Sequence, residues 1–532
     1  MGRIRVLGAA AAVVIATAGC SWVGRVGLSS TGAQPGGGIT TGSDVSPTGR
    51  FVVFTSSAEN LVPNDTNASD DVFLRDNQAG TTERISISDA EKQASLGGYG
   101  GLVSSDGRYV AFNSDSENLL ATNDTNQSTD VFLRDRTLGT TTRMSVRNGG
   151  TQSDGPSYLQ SITPDAGVIV FASDAENLIG TADQNYSTDI YIRDRVAAKT
   201  VRVSVGTDGS EGDLDSSFAS ISDNGRYVAF VSNASNFDIN DSGVFADVFV
   251  RDRTLSTTTR LTGFPDGDEA DGDSYNVAIS GDGSTVVFDT DATNLIGTTD
   301  QNDTTDVYAV KVATGAFERI SVAANGGDPD DFSVVSGLSD DGRYVLFQSG
   351  AKNLTGATLK ALSNSFLRDR TAGTTVLAGN TQTQAEPSNA DPTLAGSSPN
   401  GISGDGRYIL FSSSATDVMT GADANGTAPD VFLRSNPVPF IFATSAPTLT
   451  RGTTVNITLT GKNLHTGSVV LPGQGITVNT VNVVSDTQIN LNVTIAANAD
   501  LGPRTPLVID PGTGGPPLSG GLAFFPALYN IV

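Results

Sequence analysis

The sequence is short of the residues that usually carry chemistry. In 532 residues there is one cysteine, Cys20, and one histidine, His465. A single cysteine excludes a disulfide framework and a thiolate metal site. A single histidine, in a turn after Leu459-Thr460-Gly461-Lys462-Asn463, excludes a Ser-His-Asp triad or a histidine metal centre from the repeated part of the chain. No Gly-x-Ser-x-Gly elbow occurs, so the nucleophile of an α/β-hydrolase is missing. Basic residues are scarce: 32 Lys and Arg stand against 58 Asp and Glu, a net charge of −26. That balance argues against nucleic acid and against an anionic membrane surface as direct partners. Helical periodicity is lacking too. Outside the amino terminus no window sustains a 3.6-residue apolar period, while 60 glycines suit a turn-rich β protein.

What is there is one phrase repeated seven times. A recurring phenylalanine falls at Phe54, Phe112, Phe171, Phe230, Phe288, Phe347 and Phe411, in steps of 58, 59, 59, 58, 59 and 64 residues. A fixed period of this length means one supersecondary unit copied, each burying its face on its neighbours. The clearest copy, Ser104 to Val146, holds four strand-like runs: one ending at Ser104-Ser105, then Arg108 to Phe112, Asp130 to Asp135 and Thr141 to Val146. These are rich in β-branched and aromatic residues and bounded by turn formers. Asp106-Gly107 predicts a two-residue hairpin with positive φ at both positions. In the third copy Asp165-Ala166 stands there, at a cost of about 1 kcal/mol unless the turn shifts to Gly167. Four antiparallel strands, repeated radially, predict an all-β, seven-bladed propeller of four-stranded blades.

The two ends of the repeat match. The fourth strands carry Arg84, Arg143, Arg202, Arg260 and Arg319, and Arg25 precedes Arg84 by 59 residues. The seventh copy runs from Gly401 to Arg434 into Asn436-Pro437-Val438-Pro439, where its fourth strand is due. Residues 24–29 are therefore predicted to supply that strand and close the ring, removing its sheet edges. Ahead of them, residues 1–19 read as an export signal: Arg3 and Arg5, a short apolar stretch, then Thr17-Ala18-Gly19-Cys20. Lipidation of Cys20 is the preferred outcome, with 20–23 as a tether; cleavage after Ala18 is the alternative.

Between the second and third strands lies a recurring Asp-x-Asn-x-(Ser/Thr)-x-Asp. Its members are Asp65, Asn67 and Asp71; Asp124, Asn126 and Asp130; Asp183, Asn185 and Asp189; Asp300, Asn302 and Asp306. The seventh copy is looser, and the fourth (Asp238 to Asp247) and sixth (Leu354 to Asn364) lack the pattern. Alternating side-chain oxygens in a tight loop suit a hard cation, so calcium is the cofactor these loops would take. The plainer reading is that Asp, Asn and Ser bond their own backbone in Asx-turns. The connections between copies are acidic as well, and topology puts them on the same face, so the ring is expected to be electrically lopsided.

Ser-x-(Asp/Asn)-Gly-Arg-Tyr-Val-x-Phe (Ser222 to Phe230, Ser339 to Phe347), followed by Asp-(Val/Ile)-(Phe/Tyr)-x-Arg-Asp, resembles the propeller repeat of the TolB family over residues 24–436. That resemblance implies a propeller fold; the helical domain that precedes it in TolB has no counterpart here. Residues 437–532 alternate apolar and polar and predict a small β-sandwich. Leu449-Thr450-Arg451-Gly452, Leu459 to Leu464, Ser485 to Ile489 and Ala499 to Gly502 are similar to the IPT/TIG immunoglobulin-like family, whose domains are spacers or adhesion modules.

These observations predict an exported, lipid-anchored, monomeric, non-enzymatic propeller in a bacterial cell envelope. It would face periplasm or exterior and bind an envelope protein. The alternative is a carbohydrate-binding or carbohydrate-cleaving propeller at the cell wall, with a carboxylate-pair glycosidase or lyase left open. A sugar site would show exposed aromatics beside carboxylates; the candidates are Tyr99, Tyr158, Tyr186, Phe218, Tyr275 and Phe332.

Overall fold

The structure is a computed structural model. It describes residues 23–379, 392–394, 401–435 and 440–532, apart from 123, 181–182, 265–267, 298–299, 357–358, 360–361, 415, 417, 420–422, 427, 463–468, 472–473, 486–487, 505–506 and 510–528. The export signal, Cys20 and His465 lie outside the described residues. The chain divides into two units, Ser21–Val438 and Pro439–Gly515, with short carboxy-terminal pieces assigned to each.

In the first unit every copy of the repeat forms one four-stranded antiparallel sheet. The second is typical: strand A is Tyr99–Val103, B is Tyr109–Ser114, C is Asp130–Asp135 and D is Thr140–Arg143. Strands B and C are buried almost throughout, because each is sandwiched between two neighbouring sheets. The repeated phenylalanine of B stacks on the aromatic of C, as Phe112 does on Phe132 with centroids 5.7 Å apart. Sheets pack in sequence order. Phe51 and Val53 of blade one meet Val110 and Phe112 of blade two. The series ends where Leu410, Val431 and Leu433 of blade seven meet Val45, Val52 and Phe54 of blade one. The chain therefore returns on itself, and the unit is a closed seven-bladed propeller.

Closure is made by the amino-terminal strand. Val23–Arg25 pairs antiparallel with strand C of blade seven, Gly24 opposite Leu433 and Arg25 opposite Phe432. Leu28 then offers its carbonyl to Thr82 Oγ1, just as Val146, following the second D strand, accepts from Thr200 Oγ1 at 2.5 Å. The borrowed strand thus reproduces a D strand and the seam that follows it.

The A–B turn differs from the sequence expectation. Gly107 has φ +72°, but Asp106 is not left-handed. Ser104 N–H bonds Tyr109 C=O at 2.9 Å, so the loop is longer than two residues. Asp106 Oδ1 instead accepts from Ser104 Oγ and from Arg108 N–H, which holds an ordinary turn ahead of the glycine. In the third copy the turn does not shift to Gly167: Ala166 itself takes φ +50°, buried, and carries the strain.

The second unit is a small β-sandwich. Phe440–Thr444, Thr454–Lys462, Gln488–Ile495 and Ile476–Ser485 form its larger sheet, in that order. Ile489, Leu491, Val493 and Ile495 point inward at every second position and pack on Ile457, Leu459, Leu449 and Ile531.

Candidate binding face

The repeated aspartates converge on an arginine. In blade one, Arg84 Nη2 lies 3.0 Å from Asp65 and Nε 3.4 Å from Asp71. Gln93, from the D–A connection, donates to Asp65 at 2.8 Å and to Asp71 at 3.1 Å. Ser86 donates to Asp71 at 2.5 Å. Blade two repeats this: Arg143 pairs with Asp124 (3.6 Å) and Asp130 (3.0 Å), beneath Gln152. In blade five Arg319 pairs with Asp306 and Asp328, and in blade seven Arg25 pairs with Asp423 (3.2 Å) and Asp430 (3.0 Å). Except for the partly exposed Asp328, both partners are nearly excluded from water, so these are buried pairs whose members depend on one another. Burial still raises the innermost carboxyl, to about 6 in Asp130, Asp247, Asp306 and Asp430 and to about 7 in Asp189.

The asparagines do a separate job. Asn67 Oδ1 accepts the Ser69 N–H at 3.1 Å, and its amide donates across to Ala94 C=O at 2.9 Å. Asn126, Asn185 and Asn302 repeat both contacts. Each is an Asx-turn that also staples the B–C loop to the D–A connection, which places both loops on one face. The residue between Asn and Ser or Thr is left-handed without being glycine: Ala68, Gln127, Tyr186 and Asp303 have φ between 49° and 55°. The calcium expectation therefore meets loops whose carboxylates already surround a guanidinium.

Two blades sharpen this. The fourth lacks the sequence pattern, yet Arg260 is ringed by Asp238 (3.4 Å), Asp241 (3.7 Å), Asp247 (3.2 Å) and Glu269 (2.9 Å). The pattern is absent from this copy, as its sequence reads, and the cluster forms from a different loop. In the sixth blade Leu377 replaces the arginine opposite Phe366, Asn364 replaces the first aspartate of strand C, and Leu359 is buried in the loop. Charge of both signs disappears together. The third and fourth blades hold an excess: three carboxylate oxygens from Asp183, Asp189 and Glu211, and three from Asp241, Asp247 and Glu269, lie within 4.8 Å of one another around one arginine each. Burial, with Glu211 beside it, pushes the Asp183 carboxyl up.

On the opposite face the arginines that follow the A–B glycine are paired too. Arg50 meets Asp76 at 2.8 Å, Arg108 meets Asp135 at 2.7 Å and Arg226 meets Asp252 at 2.6 Å. Each guanidinium also covers the next aromatic, as Arg108 covers Tyr109 at 4.8 Å. The Arg226 hydrogen bonds hold Asp252 down at about 2. Asp194 accepts the Ala197 N–H at 2.7 Å instead of an arginine.

At the inner rim of the loop face, aromatic side chains stand beside carboxylates. Strand A is innermost, since strand D is the outer edge that the amino terminus completes. Tyr99, Tyr158 and Tyr275 occupy the same place at the start of strand A in blades two, three and five, and Phe218 lies one residue further on in blade four. Tyr99, Tyr158 and Phe218 are 38%, 40% and 42% exposed. The Tyr275 hydroxyl donates to Asp291 at 2.8 Å, and Thr305 donates to the same carboxylate at 2.6 Å. Tyr99 meets Thr129 at 3.3 Å, and Thr129 donates to Asp115. Bonding to Asp291 raises the Tyr275 phenol to about 12. Of the other sequence candidates, Tyr186 projects from a B–C loop and is largely exposed, and Phe332 is half-buried.

Sequence reasoning missed the residues that cover the arginines from the D–A connection. Gln93, Gln152, Glu211, Glu269 and Asp328 lie on the same 58–59-residue grid, and Gln34 precedes Gln93 by 59. The spacing could have found them. Buried Asp44 and Asp289, both pushed to about 7 by desolvation, were also missed, since they belong to no repeated motif.

No family model matches the chain, and no curated protein matches it. Among solved structures it is similar to the putative TolB of Agrobacterium tumefaciens: 16% identity, 53% of this chain and 80% of that one, TM-score 0.34. TolB of Acinetobacter baumannii is 14% identical over 76% of this chain and 80% of its own, TM-score 0.32. An acylaminoacyl peptidase, solved with Z-Gly-Gly-Phe-chloromethyl ketone, is 10% identical over 63% of this chain and 44% of its own, TM-score 0.37. The assignment as a seven-bladed propeller rests on the chain's own strand pairing and sheet packing.

Proposed function

We propose that the protein is an exported, membrane-anchored, non-enzymatic propeller that binds a protein partner in the bacterial cell envelope through its loop face. The anchor is a lipid on Cys20, and the carboxy-terminal sandwich is an IPT/TIG-like spacer. The observation that carries the binding reading is the internal use of the arginines. Those on the loop face are consumed by their own blades, while Asp213, Asp215, Asp271, Asp330 and Asp331 remain exposed on the same connections. Such a rim attracts a basic surface and speeds its encounter in a salt-dependent way. Only Ser21 and Trp22 separate Cys20 from the closing strand, a span of at most ~10 Å that would hold the ring close to the membrane.

The experiment is affinity capture by the mature chain from envelope extract, repeated with Asp213, Asp215, Asp271 and Asp330 changed to Asn. Loss of a captured protein in the variant and at high salt is expected. Capture that ignores both changes, or retention of oligosaccharide with no protein, overturns the reading. Palmitate labelling that persists in Cys20→Ser overturns the anchor.

A further inference from the structure

We infer that the inner rim of the loop face is a binding site for a neutral oligosaccharide, with Tyr99, Tyr158, Phe218 and Tyr275 as platforms. This goes beyond the protein-binding reading and concerns different residues.

Four consecutive blades place an aromatic ring at the start of their innermost strand. A core position would be buried, yet three of these rings are about two-fifths exposed. Their polar ends are already engaged. Tyr275 donates to Asp291, and Tyr99 is tied through Thr129 to Asp115. In these two blades the hydroxyl holds the ring beside a carboxylate, while Tyr158 and Phe218 offer exposed rings alone. Burial raises the Tyr99 phenol, and Tyr158 is near enough to add to that rise. Phe218 reaches the rim through a bulge between Ser217 and Ser220, itself at φ +48°.

The chemistry of the rim selects the ligand. A carboxylate accepts hydrogen bonds and does not donate, and its two oxygens offer more lone pairs than the in-blade donors use. Ring faces beside such acceptors match a pyranose, which has an apolar C–H face and donating hydroxyls around its edge. Negative charge at the rim disfavours a uronic or sialic acid, so the glycan is uncharged.

A polypeptide added as an extra strand is the rival, and the inner strands are closed to it. Their backbone donors are capped by the preceding blade. Asp44 accepts from Val103 N–H at 2.7 Å, Asn113 from Leu159 at 2.7 Å and Asp289 from Val335 at 3.1 Å. Gln160 takes Ala219 at 3.2 Å, and Ser412 takes Gly42 at 3.0 Å. Strand addition needs those donors.

The test is titration calorimetry of the full mature chain with cellohexaose, chitohexaose and maltohexaose, and with hexalysine as the charged control. At least one sugar should bind. Tyr158→Ala should weaken it about tenfold or more, as removal of a central aromatic anchor does, while Tyr158→Phe keeps it. Tyrosine fluorescence of the unaltered chain should change on binding, a readout that does not depend on any variant folding. Protein capture by the acidic rim should be the same in Tyr158→Ala as in the parent, which separates the two readings. Three silent sugars, sugar binding unchanged in a folded Tyr99→Ala/Tyr158→Ala double variant, or binding of hexalysine alone would each overturn the proposal.

Discussion

Replacing Arg143 by leucine should be costly, and the structure says by how much. The guanidinium lies 3.0 Å from Asp130 and 3.6 Å from Asp124, with 7%, 1% and 2% of the three side chains exposed. It also covers Phe132 at 5.6 Å. Taking away one partner of a buried pair leaves charge uncompensated, at about 3–5 kcal/mol. Each stranded aspartate can escape by binding a proton, which limits its penalty. At pH 7 that escape costs about 4 kcal/mol relative to an unfolded carboxyl near 3.9, and at pH 5 about 1.5. The loss should therefore shrink by more than half on acidification. Blade six supplies the control, because it folds without any of the three charges. The triple change Asp124→Leu, Asp130→Asn, Arg143→Leu copies Leu359, Asn364 and Leu377, and it should recover most of the loss. Urea midpoints at pH 7 and pH 5 decide the matter. Equal destabilisation of the single and triple variants, or a single-variant cost indifferent to pH, would refute the reasoning.

Two further outcomes follow from the same groups. Asp44, Asp189, Asp289 and Asp340 are raised to about 7, and Asp130, Asp247, Asp306 and Asp430 to about 6. A carboxyl with a raised folded value binds its proton more tightly in the fold, so stability falls as pH rises from about 4 through 7. Asp252, held at about 2, acts in the opposite sense and loses its contribution only below about pH 4. The melting temperature should accordingly peak near pH 4 and be lower at pH 8; a higher value at pH 8 would contradict the placement of these groups. For calcium, the guanidinium is expected to serve as the resident cation. A chelator should leave melting of the unaltered chain unchanged, whereas Arg202→Met should melt lower and be partly rescued by millimolar Ca²⁺ at Asp183, Asp189 and Glu211. Calorimetric heat from Ca²⁺ on the unaltered chain would reverse this.

The ring was legible because its cause is periodic. A phenylalanine every 58 or 59 residues, with Arg-Asp closing strand C, can be satisfied only by stacking like sheets. The offset of Arg25 from Arg84 exposed the closing strand before any contact was known. The A–B turn was misjudged because Asp-Gly commonly signals a two-residue hairpin, and only the contacts among Ser104, Asp106, Arg108 and Tyr109 show the longer loop. The arginine clusters were half legible. Both halves recur in the sequence, but their meeting depends on a face shared by B–C and D–A loops. The fourth copy shows the limit of pattern alone: Asp238, Asp241 and Asp247 are spaced differently along the chain, yet reach the same arginine.

Seven copies of one unit also separate structure from use without any second protein. Positions that recur in nearly every blade, such as the paired phenylalanines, the asparagine staple and the arginine with its aspartates, are explained by packing inside the blade. When one of these changes, its partner changes with it, as Leu377 and Asn364 do. The start of strand A behaves otherwise. It is threonine in blade one, tyrosine in blades two, three and five, serine in blade four and valine in blade six, with Phe218 displaced by one residue. The residue opposite it in strand B varies too (Thr55, Asn113, Ala172, Val231 and Gln348), while Phe54, Phe112, Phe171, Phe230, Phe288 and Phe347 stay in place throughout. The repeated phenylalanine of the core is the same whichever residue stands there. A requirement outside the blade must then account for bulky rings half in water on one arc of the rim, and the uneven arc, rather than the regular ring, is where a ligand's shape is recorded.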